Sequence, residues 1–184
     1  MTAASTTDGA TRDAGARRTA TSGPARPSRG AQIRMLVLLL ALCLGAGLAA
    51  SVVTRPAVAT WYQDIAKPAW TAPDLAFPFV WAVLYVLMAL AAWQAWRSAA
   101  HAAAGALVPF LLQLALNAAW PYAFFGMQDF PLGFVLIAAL IPAVLATLVA
   151  FAQRSALAAW LLVPYLLWAC YATALNAAVV QLNP

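Results

Sequence analysis

Five apolar stretches follow one another between residue 35 and about residue 180, each near twenty residues and almost free of charge. They cover residues 35–53, 77–96, 106–125, 132–152 and 156 to about 180. A helix rises ~1.5 Å per residue, so ~20 residues cross a ~30 Å hydrocarbon core. The expected fold class is all-α: an integral membrane bundle of five transmembrane helices with a long first extramembrane loop. Composition agrees. The chain is 65% hydrophobic and only 8% charged, and it has no Glu. A soluble domain carries ~25% charged residues, so this one could not cover its surface in water.

The net charge of +5 belongs mainly to one end. Six of the ten basic residues (Arg12, Arg17, Arg18, Arg26, Arg29 and Arg34) lie in the first 34 positions, against Asp8 and Asp13. Residues 1–33 are otherwise Ala, Thr, Ser, Gly and Pro apart from Met1, Gln32 and Ile33, too polar to offset ordering entropy, and are expected to form a disordered basic tail before a 34–184 transmembrane domain. A basic tail without a folded basic face suits an anionic membrane surface, not nucleic acid. A signal peptide competes for the first apolar run, since Ala49-Ala50-Ser51 resembles a cleavage site. But the run continues through Val53, long enough for an uncleaved span. An odd number of spans puts the tail, the 97–105 turn and Arg154 on one side with eight basic residues, and the long loop with two. The N-terminus is therefore expected in the cytoplasm.

Cys43 and Cys170 fall inside apolar runs and read as small buried hydrophobes. With His101 alone in a short turn, no metal-ligand spacing exists, and no cofactor is expected. Asp64, Asp74 and Asp129 lie in loops, and the spans lack the ionisable groups of proton relays. The long connection, 54–76, carries Arg55, Trp61, Tyr62, Lys67 and Trp70. It reads equally as an interfacial anchor or as a lid. Pro109, Pro121, Pro142 and Pro164 recur in the spans, where kinks splay helices and leave cavities.

The spans are rich in aromatics and amides. Trp81, Tyr85 and Met88 share a helical face at i, i+4, i+7, as do Trp168, Ala172 and Asn176 at i, i+4, i+8. Asn117 and Trp120 are i, i+3 neighbours. Ordinary core packing with amide cross-links explains these patterns, and so does a slot for a flat ligand with a few polar anchors. Ala115, Ala119 and Ala123 form a small-residue stripe suited to a dimer face.

The runs Trp61-Tyr62, Lys67-Pro68-Ala69-Trp70-Thr71-Ala72-Pro73 and Val80-Trp81-Ala82-Val83-Leu84-Tyr85 with Met88 resemble the tryptophan-rich sensory protein family. That family includes the mitochondrial translocator protein, or peripheral benzodiazepine receptor. Leu116-Asn117-Ala118-Ala119-Trp120, Phe124-Phe125, Pro164-Tyr165, Trp168, Ala172 and Leu175-Asn176 extend the likeness over about residues 35–183. The resemblance implies a bacterial member in the cytoplasmic membrane, usually a homodimer. It implies a pocket closed by the first loop that binds porphyrins such as protoporphyrin IX and benzodiazepine-type ligands. By position the ligand-binding residues would be Tyr62, Trp81, Tyr85, Asn117, Trp120, Trp168, Ala172 and Asn176, with Trp61, Lys67 and Trp70 at the mouth. Some members are reported to degrade protoporphyrin in light, which makes Trp81 and Trp168 the catalytic candidates. The expected role is a porphyrin receptor or sensor regulating tetrapyrrole or stress responses; a porphyrin or lipid transporter and a light-dependent enzyme are the alternatives. Pro121 stands where many members carry a small polar residue, and 175–184 lacks the Tyr and Arg of the proposed cholesterol motif.

Overall fold

The computed structural model describes residues 27–98 and 104–184. Residues 1–26 and His101 lie outside them. The described residues form five α-helices: α1 (Arg29–Ala59), α2 (Ala76–Ser98), α3 (Ala104–Pro121), α4 (Phe130–Ala152) and α5 (Ala156–Leu182). All five are long and apolar enough to span a bilayer, the third when counted on to Gly126. Around the bundle the packing order is α1, α2, α5, α4, α3, and α3 closes back onto α1.

The surface is the reverse of a soluble protein's. Leu38, Leu48, Val52, Phe79, Val108 and Leu167 point outward, while Gln113, Asn117, Thr147 and Asn176 are buried. Lipid tails tolerate the former, and the latter must pair inside. Alanines fill the tightest contacts: Ala89, Ala91 and Ala92 of α2 and Ala169 of α5 are inaccessible, so backbones approach closely.

Both ends of α1 differ from the sequence expectation. The helix starts at Arg29, within the segment assigned to the tail, because Ser28 caps it by accepting from the Ala31 N–H at 3.3 Å. Gln32 also reaches back to the Pro27 carbonyl at 2.9 Å. At the other end the helix runs past Thr54 and through Pro56 to Ala59. The Thr54 hydroxyl donates to the Ala50 carbonyl at 2.9 Å and stays within the helix. The connection to α2 therefore shortens to residues 60–75 and includes a 3₁₀ turn, Trp61–Gln63.

The third span ends unusually. Pro121 has no N–H to donate, and directly after it the chain widens into a π turn, Tyr122–Gly126. Such widened turns concentrate at functional sites. The Met127 N–H closes it on the Tyr122 carbonyl at 2.8 Å. Gln128 then takes a left-handed φ of 56°, which turns the chain tightly enough for Asp129 to cap α4 through the Leu132 N–H at 2.9 Å. Asp129 is thus a helix cap. Cys43 is fully buried, whereas Cys170 faces outward, because its position on α5 points away from the neighbouring helices. Of the alanine stripe, Ala115 and Ala119 face outward, but Ala123 is buried in the bundle, because the π turn rotates it inward.

Candidate functional site

At the loop end of the bundle, the π turn, α5 and the 60–75 loop enclose an aromatic chamber. Phe124 and Phe125 pack edge to face at 4.8 Å between ring centroids. Gly133 of α4 allows this crowding, since a Cβ there would stand 3.0 Å from Phe124. Tyr62 settles on Phe125 at 5.5 Å, and Trp61 covers Phe130 at 5.9 Å. The 3₁₀ turn thus works as a plug of two rings over three. The residual cavity is small, about 20 Å³, and is bounded by Tyr62, Phe77, Trp120, Phe125, Ala172 and Asn176. It has room for about one water.

The chamber's polar content is small and placed. The Trp120 indole N–H donates to Asn176 Oδ1 at 3.1 Å, and Asn176 Nδ2 donates to the Ala172 carbonyl at 2.8 Å. That pair presents one fixed amide edge amid aromatic faces. Burial pushes the Tyr62 hydroxyl up to about 12, with Asp74 and then Tyr171 adding to the rise. Tyr62 is therefore a neutral hydroxyl at physiological pH.

Beneath the chamber runs a buried polar chain. The Tyr85 hydroxyl donates to Asn117 Oδ1 at 2.6 Å, Asn117 Nδ2 donates to the Tyr165 hydroxyl at 3.0 Å, and that hydroxyl donates to Gln113 Oε1 at 2.7 Å. Gln113 Nε2 in turn points at Met88 Sδ at 3.7 Å. The chain ties α2, α3 and α5 together in hydrocarbon, where an unpaired amide is costly. Trp81 lies across it, with ring centroids 5.8 Å from Tyr85, 6.1 Å from Trp120 and 6.3 Å from Tyr165. These residues form a rigid floor for the chamber.

The residues singled out from sequence therefore divide. Tyr62, Trp120, Ala172 and Asn176 bound the cavity itself. Trp81, Tyr85 and Asn117 form the floor. Trp168, on the same nominal face as Ala172 and Asn176, instead packs on Phe77 at 5.6 Å and Tyr171 at 5.0 Å. It lines a separate open groove of about 420 Å³ between α2 and α5. Its indole N–H is buried and has no acceptor among the described residues. At the mouth, Trp61 is half-buried, while Trp70 is exposed and lies against Tyr171 at 5.9 Å. Lys67 sits over the Tyr62 ring, 4.5 Å from its centroid, and donates to the Tyr62 and Gln63 carbonyls. Its charge locks the loop. Sequence spacing did not reveal Gln113, Phe77 or Gly133; their partners lie on other elements, and only a buried amide in an apolar run hinted at Gln113.

The loop is latched to α5. Asn183 exchanges two hydrogen bonds with Ala66, accepting from its N–H and donating to its carbonyl, each at 3.0 Å. The Tyr171 hydroxyl accepts from the Ala72 N–H at 2.8 Å and donates to the Trp70 carbonyl at 3.4 Å. Gln63 ties Val58 to Asp74, both at 2.9 Å. The loop is a fastened cover.

Fold and site together define an integral membrane protein of five helices, with an aromatic chamber at one end closed by its first loop. The profile of the TspO/MBR family matches residues 39–182, and the chain belongs to that family, which has a membrane sensor or receptor role. It is 39% identical over 157 residues to the tryptophan-rich protein TspO of Chlorobaculum tepidum, spanning 83% of this chain and 98% of that protein. It is 38% identical over 123 residues to the tryptophan-rich sensory protein of Cereibacter sphaeroides, covering 67% and 77%. Against the human translocator protein the identity is 39% over 126 residues, covering 67% and 75%.

Proposed function

We propose that the chain is a membrane receptor that binds flat, largely apolar ring systems, protoporphyrin IX among them, in the aromatic chamber. The observation that carries this reading is the chamber's make-up: aromatic rings on several sides, with a single fixed amide edge at Trp120–Asn176. Apolar burial supplies binding at ~25 cal/mol per Å², and the amide edge fixes orientation. A cavity of about 20 Å³ is far smaller than such a ring system, so binding is coupled to an opening of the chamber. That coupling is what a sensor needs, since a ligand shifts a conformational equilibrium only through its preference for one state. Regulation of tetrapyrrole or stress responses is the role we assign to that shift.

The outward face of α3, with Val108, Leu111, Leu112, Ala115 and Ala119, offers small and apolar residues for a homodimer contact. Arg29, Arg34, Arg97 and Arg154 belong to the end opposite the loop, so the N-terminus is assigned to the cytoplasm of a bacterial membrane.

The test is a dark titration with protoporphyrin IX in detergent, followed by tryptophan quenching. Wild type is expected to saturate, and Ala172→Phe, which fills the cavity, is expected to lose at least tenfold in affinity. Saturation unaffected by Ala172→Phe would place the ligand elsewhere.

A further inference from the structure

The inner cavity and the α2–α5 groove meet at a pair of touching side chains. Phe77 bounds the cavity, Trp168 lines the groove, and their rings meet edge to face at 5.6 Å. The groove opens toward lipid. Its walls are apolar, including Phe79, Val83, Leu87 and Pro164, with Tyr171 at the loop end. Pro164 removes a helix hydrogen bond here, which loosens α5 beside the groove.

Two routes could open the chamber. Lifting the loop breaks the two Asn183–Ala66 bonds and the two bonds of the Tyr171 hydroxyl. Moving Phe77 breaks none of these. Phe77 is the second residue of α2, where the backbone N–H has no partner within the helix, and Pro78 after it has none to offer. The Phe77 ring can therefore swing about its side-chain bonds without breaking a backbone hydrogen bond. The buried Trp168 N–H, unpaired among the described residues, stands at the same wall. A buried orphan donor is costly and needs an account. A ligand carbonyl or carboxylate passing or resting there would accept from it.

We propose that Phe77 is a lateral gate, and that the α2–α5 groove is an outer docking site for flat apolar molecules already dissolved in the bilayer. They reach the chamber sideways past Phe77, with Trp168 as a hydrogen-bonding station on the path, while the loop stays latched. This deepens the receptor reading and rests on the same chamber.

The test uses a reporter thiol in the chamber, Ala172→Cys, in a Cys170→Ser background reconstituted in vesicles. Cys43 is buried, and the background alone measures its contribution. The thiol is challenged with N-(1-pyrenyl)maleimide, a flat probe that partitions into the bilayer, and with a charged water-soluble methanethiosulfonate. Phe77→Ala is expected to speed pyrenyl labelling at least tenfold and to leave the charged reagent's rate unchanged. Asn183→Ala, which unlatches the loop, should act on the charged reagent alone. Phe77→Leu serves as a milder opening should the alanine variant fold poorly. Pyrenyl rates unmoved by both Phe77 substitutions, or raised by Asn183→Ala instead, would overturn the gate. No porphyrin is used, so a failure of porphyrin binding leaves this result readable.

Discussion

Gly47 of α1 bears directly on the floor of the chamber. A Cβ built there would stand 2.6 Å from Cε2 and 2.7 Å from Cδ2 of Tyr85. Carbon atoms settle near ~3.5–4.0 Å, so Gly47→Ala must drive the ring back by roughly 1 Å. The ring cannot give cheaply. Tyr85 is 5% exposed, its hydroxyl is held by Asn117 at 2.6 Å, and Trp81 lies over it. Overpacking of a filled core costs ~1–3 kcal/mol, and an interhelical hydrogen bond in a membrane contributes ~0.6–1.7 kcal/mol. Gly47→Ala is therefore expected to destabilise the bundle by ~2–4 kcal/mol. At Gly45, two residues earlier, an added Cβ would meet nothing within 4 Å. Gly45→Ala is expected to be neutral, or to stabilise by up to ~1 kcal/mol through helix propensity. Reversible unfolding in mixed detergent micelles, followed by helical circular dichroism, measures both. A Gly47→Ala protein as stable as the Gly45→Ala protein would refute the reasoning, because it would mean the Tyr85–Asn117 bond does not hold the ring in place.

Trp120→Phe removes the indole N–H from Asn176 but keeps the ring; it should weaken porphyrin binding several-fold, by ~1 kcal/mol for one hydrogen bond, in the same quenching titration. Asn183→Ala should speed limited proteolysis of the 60–75 loop in vesicles, while helices α2–α5 keep their protection; unchanged loop cleavage would count against the latch. Tyr62 titrates higher in the closed loop than its ordinary 10, at about 12. A raised acid of this kind stabilises the closed form below pH 10, and the contribution is lost as pH rises through 10 to about 12. Loop proteolysis should therefore be flat between about pH 7 and 9 and accelerate above about 10, and Tyr62→Phe should reduce that acceleration.

The spans were legible because length and apolarity alone determine them, and proline inside them did not stop the helices. The ends of α1 were less legible. Pro56 reads as a stop, yet the helix passes it, since a membrane helix tolerates a missing N–H where side chains such as Thr54 and Thr60 serve nearby carbonyls. The Asn117–Trp120 pair was visible as neighbours on one helix. Gln113 was not, because its partner Tyr165 lies 52 residues away. Spacing put Trp168 with Ala172 and Asn176, but α5 sits between α2 and α4. A face wide enough to meet both splits, so Trp168 turns to the groove while the other two bound the cavity. Gly47 was invisible because nothing local marks which turn of α1 meets a tyrosine on α2.

The most direct test of the receptor account is an experimental structure of the protein with protoporphyrin IX bound in the dark. The account predicts the macrocycle between the Tyr62–Phe125 roof and the Trp81–Trp120 floor, a polar edge of the ligand against Asn176, and the Phe77 ring displaced from its present position. A macrocycle held only on the outer surface, with the chamber still closed, would contradict it.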